Sequence, residues 1–147
     1  MTTVTARPPD GAWTIDSLRE AGFGDLAGYE LIDGRLVKKM GKTFPHWYVT
    51  SRFLLALAAV FESAETLVVS EGPVRLGGDH EPEPDVSVMS TAVVRERRAP
   101  RPGEIRLLVE IAATSHAEDF GLRLQRAAMA EVPEYWVMDL VASALHV

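Results

Sequence analysis

The feature that most constrains this chain is an acid set inside an apolar run. Leu107, Leu108 and Val109 precede Glu110, and Ile111, Ala112 and Ala113 follow it. A short, unbroken apolar run of this kind is the pattern of a strand covered on both faces. A carboxylate there is costly unless it is paired or coordinates a metal, so Glu110 calls for a cation or a proton. The plain alternative is a glutamate at a strand end that reaches solvent or a nearby arginine. Beyond it, Ser115-His116-Ala117-Glu118 has the form of a helix capping box and opens a helix-competent run to about Glu131. Pro133 closes that run, and Glu134 to Asp139 reads as another buried strand. Strand, helix and strand joined by short links make a βαβ crossover, with its two strands parallel or close to it.

A chain of 147 residues, 47% hydrophobic and 24% charged, supports one core. The expected organisation is a disordered tail over residues 1–12, with Pro8 and Pro9, and a single domain over 13–147. No apolar run approaches the ~20 residues that span a bilayer. Residues 1–10 also lack the basic and apolar regions of a secretory signal, so no membrane partner is expected. The absence of cysteine excludes disulfides and thiolate metal sites and fits a reducing, cytoplasmic setting. A net charge of −6 argues against wide clamping of nucleic acid and leaves room for a local basic groove.

Thr14 to Gly22 reads as a short helix, and Tyr29 to Val37 as a hairpin turning at Asp33-Gly34. Alternation along the first strand places Glu30 on the same face as Ile32, either as an exposed strand-edge acid or as a buried one. From His46 to Ser63 the pattern is helical and apolar over most of its circumference, which predicts burial on more than one side, against a sheet and a second subunit. A homodimer is therefore expected. His46, in the first turn, is either a helix-terminus residue or a ligand. Thr66 to Ser70 is a β-branched strand, and Gly72 to Leu76 is expected to pair with it. The loop Gly77–Pro84 leads into a strand that Asp85 opens, and Pro84 limits the freedom with which that carboxylate is aimed. Arg95, Arg97, Arg98 and Arg101 make the one concentrated basic stretch, read either as a nucleic-acid contact facing phosphate or as a solubilising surface loop.

Asp85 at one strand start and Glu110 within the next could meet at the ends of adjacent strands. Hard oxygen ligands without cysteine select Mg²⁺ or Mn²⁺ over zinc. A metal held this way polarises a phosphodiester and lowers the pKa of an attacking water.

Pro84-Asp85, then Val109-Glu110-Ile111 with Ser115, Asp119 and the tail Val132–Asp139, closely resemble the Uma-type restriction endonucleases, a branch of the PD-(D/E)XK nuclease superfamily. Tyr29–Gly34 and His46 also sit where that family's pattern has them, so the resemblance spans about Trp13 to Val147. It implies an α/β, restriction-endonuclease-like core: a mixed central sheet flanked by helices, with an N-terminal β-hairpin. It further implies Asp85, Glu110 and Arg123 as catalytic residues, and Asp85 and Glu110 with Ile111 as the metal set. It points to Glu30, His46 and Asp119 as candidate additional site residues and to hydrolysis of nucleic-acid phosphodiesters as the reaction, DNA being the expected substrate.

Departures from the family pattern accompany the match. In this branch the superfamily's lysine has moved to the helix after the glutamate; here Ala112 stands at the first place and Arg123 at the second, and no lysine exists beyond Lys42. A guanidinium can grip phosphate in a bidentate fashion but cannot act as a base, so Arg123 either stabilises the phosphate or only pairs with Asp119. Ala127 replaces the usual Tyr, and Glu131 replaces the usual Gly. The chain stops at Val147, a few residues into a strand expected from Ala144, which reads as a shortened C-terminus or a divergent copy. The alternatives to a metal-dependent endonuclease are a catalytically degenerate nuclease fold that binds nucleic acid or protein, and an interaction module built on helix 46–63.

Overall fold

The computed structural model describes residues 11–23, 26, 28–113 and 118–147, without the side chains of residues 118 and 119. Most of the expected tail, the capping box at Ser115–Glu118 and the Asp119 carboxylate therefore lie outside the described residues.

The chain opens on α1 (Ile15–Glu20), whose N-terminus is closed by reciprocal bonds. The Ser17 amide donates to the Thr14 hydroxyl at 3.1 Å, and the Thr14 amide to the Ser17 hydroxyl at 2.9 Å. Strands β1 (Tyr29–Ile32) and β2 (Arg35–Lys38) form the hairpin. Asp33 and Gly34 both adopt left-handed backbone, φ 49° and 77°, as a two-residue type I′ turn requires. Gly34 has a second constraint, since a Cβ there would lie 2.8 Å from the Cβ of Ala12.

Then follow α2 (Phe44–Phe61), β3 (Thr66–Ser70), β4 (Val86–Ser90), α3 (Ala92–Glu96), β5 (Ile105–Ala112), α4 (Glu118–Met129), β6 (Glu134–Asp139) and β7 (Ala144–His146). Five of the strands make one mixed sheet in the order β3-β4-β5-β6-β7. Only the β5–β6 pair is parallel, from Leu107 opposite Glu134 to Ala112 opposite Asp139, as the crossover spacing predicts. Strand β5 is buried at every position from Leu107 to Ala112. On one face Leu107, Val109 and Ile111, with Val86 and Val88 of β4, pack under Leu57 and Phe53 of α2. On the other, Leu108 and Met89 pack with Val74, Leu76, Ala127 and Val132. Each such fully buried aliphatic contributes about 1.5–3 kcal/mol. A third cluster of Trp13, Ile15, Leu18 and Leu31 fastens the hairpin to the N-terminal helix.

Three sequence expectations are corrected. Helix α2 begins two residues early, because extended Thr43 caps it and Pro45 fits the first turn. It is buried on one side only within the chain: Phe44, Trp47, Tyr48, Leu55 and Val60 are more than half exposed. Gly72–Leu76 does not join β3, because the chain turns away through left-handed Glu71 (φ 56°). Its amides bond to the following loop instead, Val74 to the Pro82 carbonyl at 2.9 Å and Leu76 to that of His80 at 3.0 Å. Among the described residues no helix is long and apolar enough to cross a membrane.

Candidate active site

Register brings the two sequence-distant acids together. Strands β4 and β5 pair with Val86 opposite Val109, so one step outward sets Asp85 against Glu110. Both residues are buried. The Ile111 amide donates to Asp85 Oδ2 at 2.8 Å, which aims the carboxylate along the end of the sheet. Its Oδ1 lies 3.1 Å from His46 Nε2 and 3.4 Å from Lys42 Nζ. With Nε2–H given to Asp85, His46 Nδ1 is left to accept from the Thr50 hydroxyl at 3.5 Å. Burial opposes ionisation of Asp85, but the His46 and Ile111 hydrogen bonds prevail and hold its carboxyl below the usual range.

Glu110 has the opposite fate. Burial pushes its carboxyl up to about 8; Arg123 pulls it down, and the neighbouring charges of Asp85 and Glu30 push it up further. Tyr135 donates its hydroxyl to Glu110 Oε1 at 3.3 Å, and burial beside Glu110 keeps that phenol protonated. Glu30 is buried, not an exposed strand-edge acid. It accepts from Arg123 through both oxygens, at 2.9 and 2.8 Å, and from the Glu83 amide at 2.7 Å. The same guanidinium stands 3.4 Å from Glu110 Oε1. Arg123 thus bridges the hairpin and the central strand from α4. Burial works against its charge, yet Glu30 and Glu110 more than restore it.

The site contains three buried carboxylates, Glu30, Asp85 and Glu110. The Glu110 carboxyl is raised chiefly by burial, and its hard oxygens suit a cation such as Mg²⁺, which would favour the ionised form. The donor chemistry therefore fits a divalent ion, although among the described residues no group of three or more acids and histidines is already clustered to hold one.

Residues 15–147 match the model of the Uma2 family, described as "Putative restriction endonuclease". This chain belongs to the Uma2 family. Its fold is the restriction-endonuclease-like α/β arrangement that the resemblance implied. A crystal structure of a "putative nuclease belonging to DUF820" from Anabaena variabilis superposes with a TM-score of 0.62 at 20% identity, covering 86% of this chain and 74% of that one. At that identity the likeness is one of fold. No curated protein matches the chain.

In this Uma2 member not every sequence candidate reaches the site. Arg95, Arg97, Arg98 and Arg101 lie between the end of β4 and the start of β5, at the rim of the sheet opposite Asp85 and Glu110. Arg98 is held there by both oxygens of Glu104, at 2.8 and 2.6 Å, and by Glu96. Ile111 contributes its amide to Asp85. Two residues at the site were not singled out by sequence reasoning. Tyr135 carried a signal, being the second residue of the strand that lies parallel to β5; Lys42 carried only that of being the last lysine, four residues before His46.

Proposed function

We propose that this protein is a metal-dependent endonuclease that hydrolyses phosphodiester bonds of nucleic acid, DNA being the expected substrate, with Asp85 and Glu110 as ligands of Mg²⁺ or Mn²⁺. The observation that carries the reading is that the register of β4 on β5 sets Asp85 opposite Glu110 at one end of the sheet, with Glu30 joined to Glu110 through Arg123. When bound, such an ion polarises a phosphoryl oxygen and lowers the pKa of an attacking water. Asp85 stands ready as an ionised ligand, aimed by the Ile111 amide and by His46. Tyr135 and Arg123 orient Glu110, and Arg123 offsets the charge it shares with Glu30. A guanidinium stays protonated, so Arg123 takes no part as a base.

Magnesium titration calorimetry on wild type and Asp85→Ala tests the metal site. Binding in the millimolar range or tighter that vanishes in the variant is the expected result, and silence in both proteins removes the reading. Plasmid nicking by wild type, lost in Glu110→Ala, tests catalysis; equal nicking by the variant points to a contaminant.

A second reading, a nuclease fold that binds without cutting, is favoured by the full engagement of Arg123 with Glu30 and Glu110. Metal and oligonucleotide binding by a wild type that never nicks would support it. Under either reading we propose a homodimer, on the strength of the exposed apolar face of α2.

A further inference from the structure

We propose that Lys42 is the phosphate-binding cation of this site, the role for which the family pattern points to the helix after Glu110. The inference rests on the nuclease reading and assigns the residue that meets the substrate. Arg123 and Lys42 both reach the buried carboxylates Glu110 and Asp85, and they differ in freedom. Arg123 is 15% exposed and holds both oxygens of Glu30 while standing beside Glu110. Turning it toward a phosphate would strip buried Glu30 of its paired charge. Lys42 enters from the other side, on the loop that precedes α2, and its side chain is 37% exposed.

Its ammonium touches Asp85 Oδ1 at 3.4 Å and pairs with Glu71, whose side chain is half exposed. An exposed ion pair of that kind is weak and readily exchanged. An ammonium has three donors on a flexible stem, so Lys42 can keep its contact with Asp85 and give up Glu71 for a phosphate oxygen. Glu71 then acts as a rival anion that occupies the ammonium when substrate is absent. The lysine reaches the site from before Asp85 and Glu110 in the chain, which is why a search downstream of Glu110 finds none.

The test is anisotropy of a short fluorescent oligonucleotide on the full chain in EDTA, over a series of salt concentrations. One lost phosphate contact makes the slope of log K against log[salt] shallower by about 0.7–0.9. Lys42→Met is expected to weaken binding with that loss of slope, Lys42→Arg to retain both, and Glu71→Gln to tighten binding by releasing the ammonium. Wild-type affinity and slope in Lys42→Met would overturn the assignment while leaving the nuclease reading intact. So would a Glu71→Gln variant that weakens binding as Lys42→Met does, the behaviour of a pair that only holds the loop. A wild type that binds no oligonucleotide either in EDTA or with Ca²⁺ added would overturn the nuclease reading and Lys42 with it.

Discussion

Arg123 is the residue whose removal should be felt most. Its guanidinium compensates Glu30 and Glu110, both buried, and breaking such a pair from one side typically costs about 3–5 kcal/mol. Arg123→Met is expected to lose stability on that scale in urea unfolding, and adding Glu30→Gln should recover part of it. Arg123→Lys keeps the charge but not the two-pronged grip, so it should lose less. Equal stability of wild type and Arg123→Met would contradict the bridge. His80 makes a separate prediction. It is fully buried, its Nδ1 accepts the Asp33 amide at 3.1 Å, and Nε2 has no partner among the described residues. Burial, with Arg126 and Arg123 nearby, lowers its pKa to about 4. In the unfolded chain the imidazole titrates near 6.5, so between those values the unfolded state binds a proton that the folded state refuses. Stability present above about pH 6.5 should therefore fall as the pH drops toward 4, by up to about 3 kcal/mol. His80→Gln should flatten that part of the pH profile, and an identical slope in both proteins would sink the assignment.

At the scale of elements, the end of α4 explains one departure from the family pattern. Glu131 lies in left-handed backbone (φ 59°). Its amide donates to the Ala128 carbonyl and that of Val132 to the Ala127 carbonyl, both at 3.0 Å, which is the Schellman closure of a helix. Glycine takes that conformation without the penalty a Cβ incurs, so Glu131→Gly should stabilise the protein by about 1 kcal/mol. For a chain of this size that raises the melting temperature by about 2–4 °C, measurable by calorimetry. Ala127 is buried in the core beneath the sheet, so a tyrosine could not stand there without repacking. These elements were legible from local signals: Asp33-Gly34 announces its turn, Pro133 its helix end, and the run around Glu110 its doubly covered strand. The segment Gly72–Leu76 was misread because a short apolar stretch next to a strand says nothing about which neighbour its amides will find.

For the whole molecule, α2 is the element that the proposed homodimer would cover. Phe44 lies against Trp47 and Tyr48, with ring centroids 5.6 and 6.1 Å apart, on a face that continues to Leu55. If that face joins two subunits, Leu55→Glu should shift sedimentation equilibrium from dimer to monomer without lowering helix content. A wild type that sediments as a monomer at all concentrations would remove the dimer. At the opposite rim of the sheet Glu96 and Glu104 occupy Arg98, and Arg95 and Arg101 stand away from Asp85 and Glu110, so this rim should add little to the binding of a phosphodiester there. Arg95→Ala and Arg101→Ala are accordingly expected to leave oligonucleotide affinity unchanged.

By itself the sequence determined the strands of the sheet, the crossover and the hairpin, and offered burial of Glu110 as one of two readings, because each follows from neighbours a few residues away and from the periodicity of apolar side chains. It also marked Asp85, through Pro84 and the strand it opens. What only the tertiary structure decided is which charge answers which. Arg123 and Glu30 are 93 residues apart, and Lys42 and Asp85 are 43 apart. No local pattern encodes such a pairing; it comes from the register of β4 on β5 and from where α4 and the hairpin close over the end of the sheet.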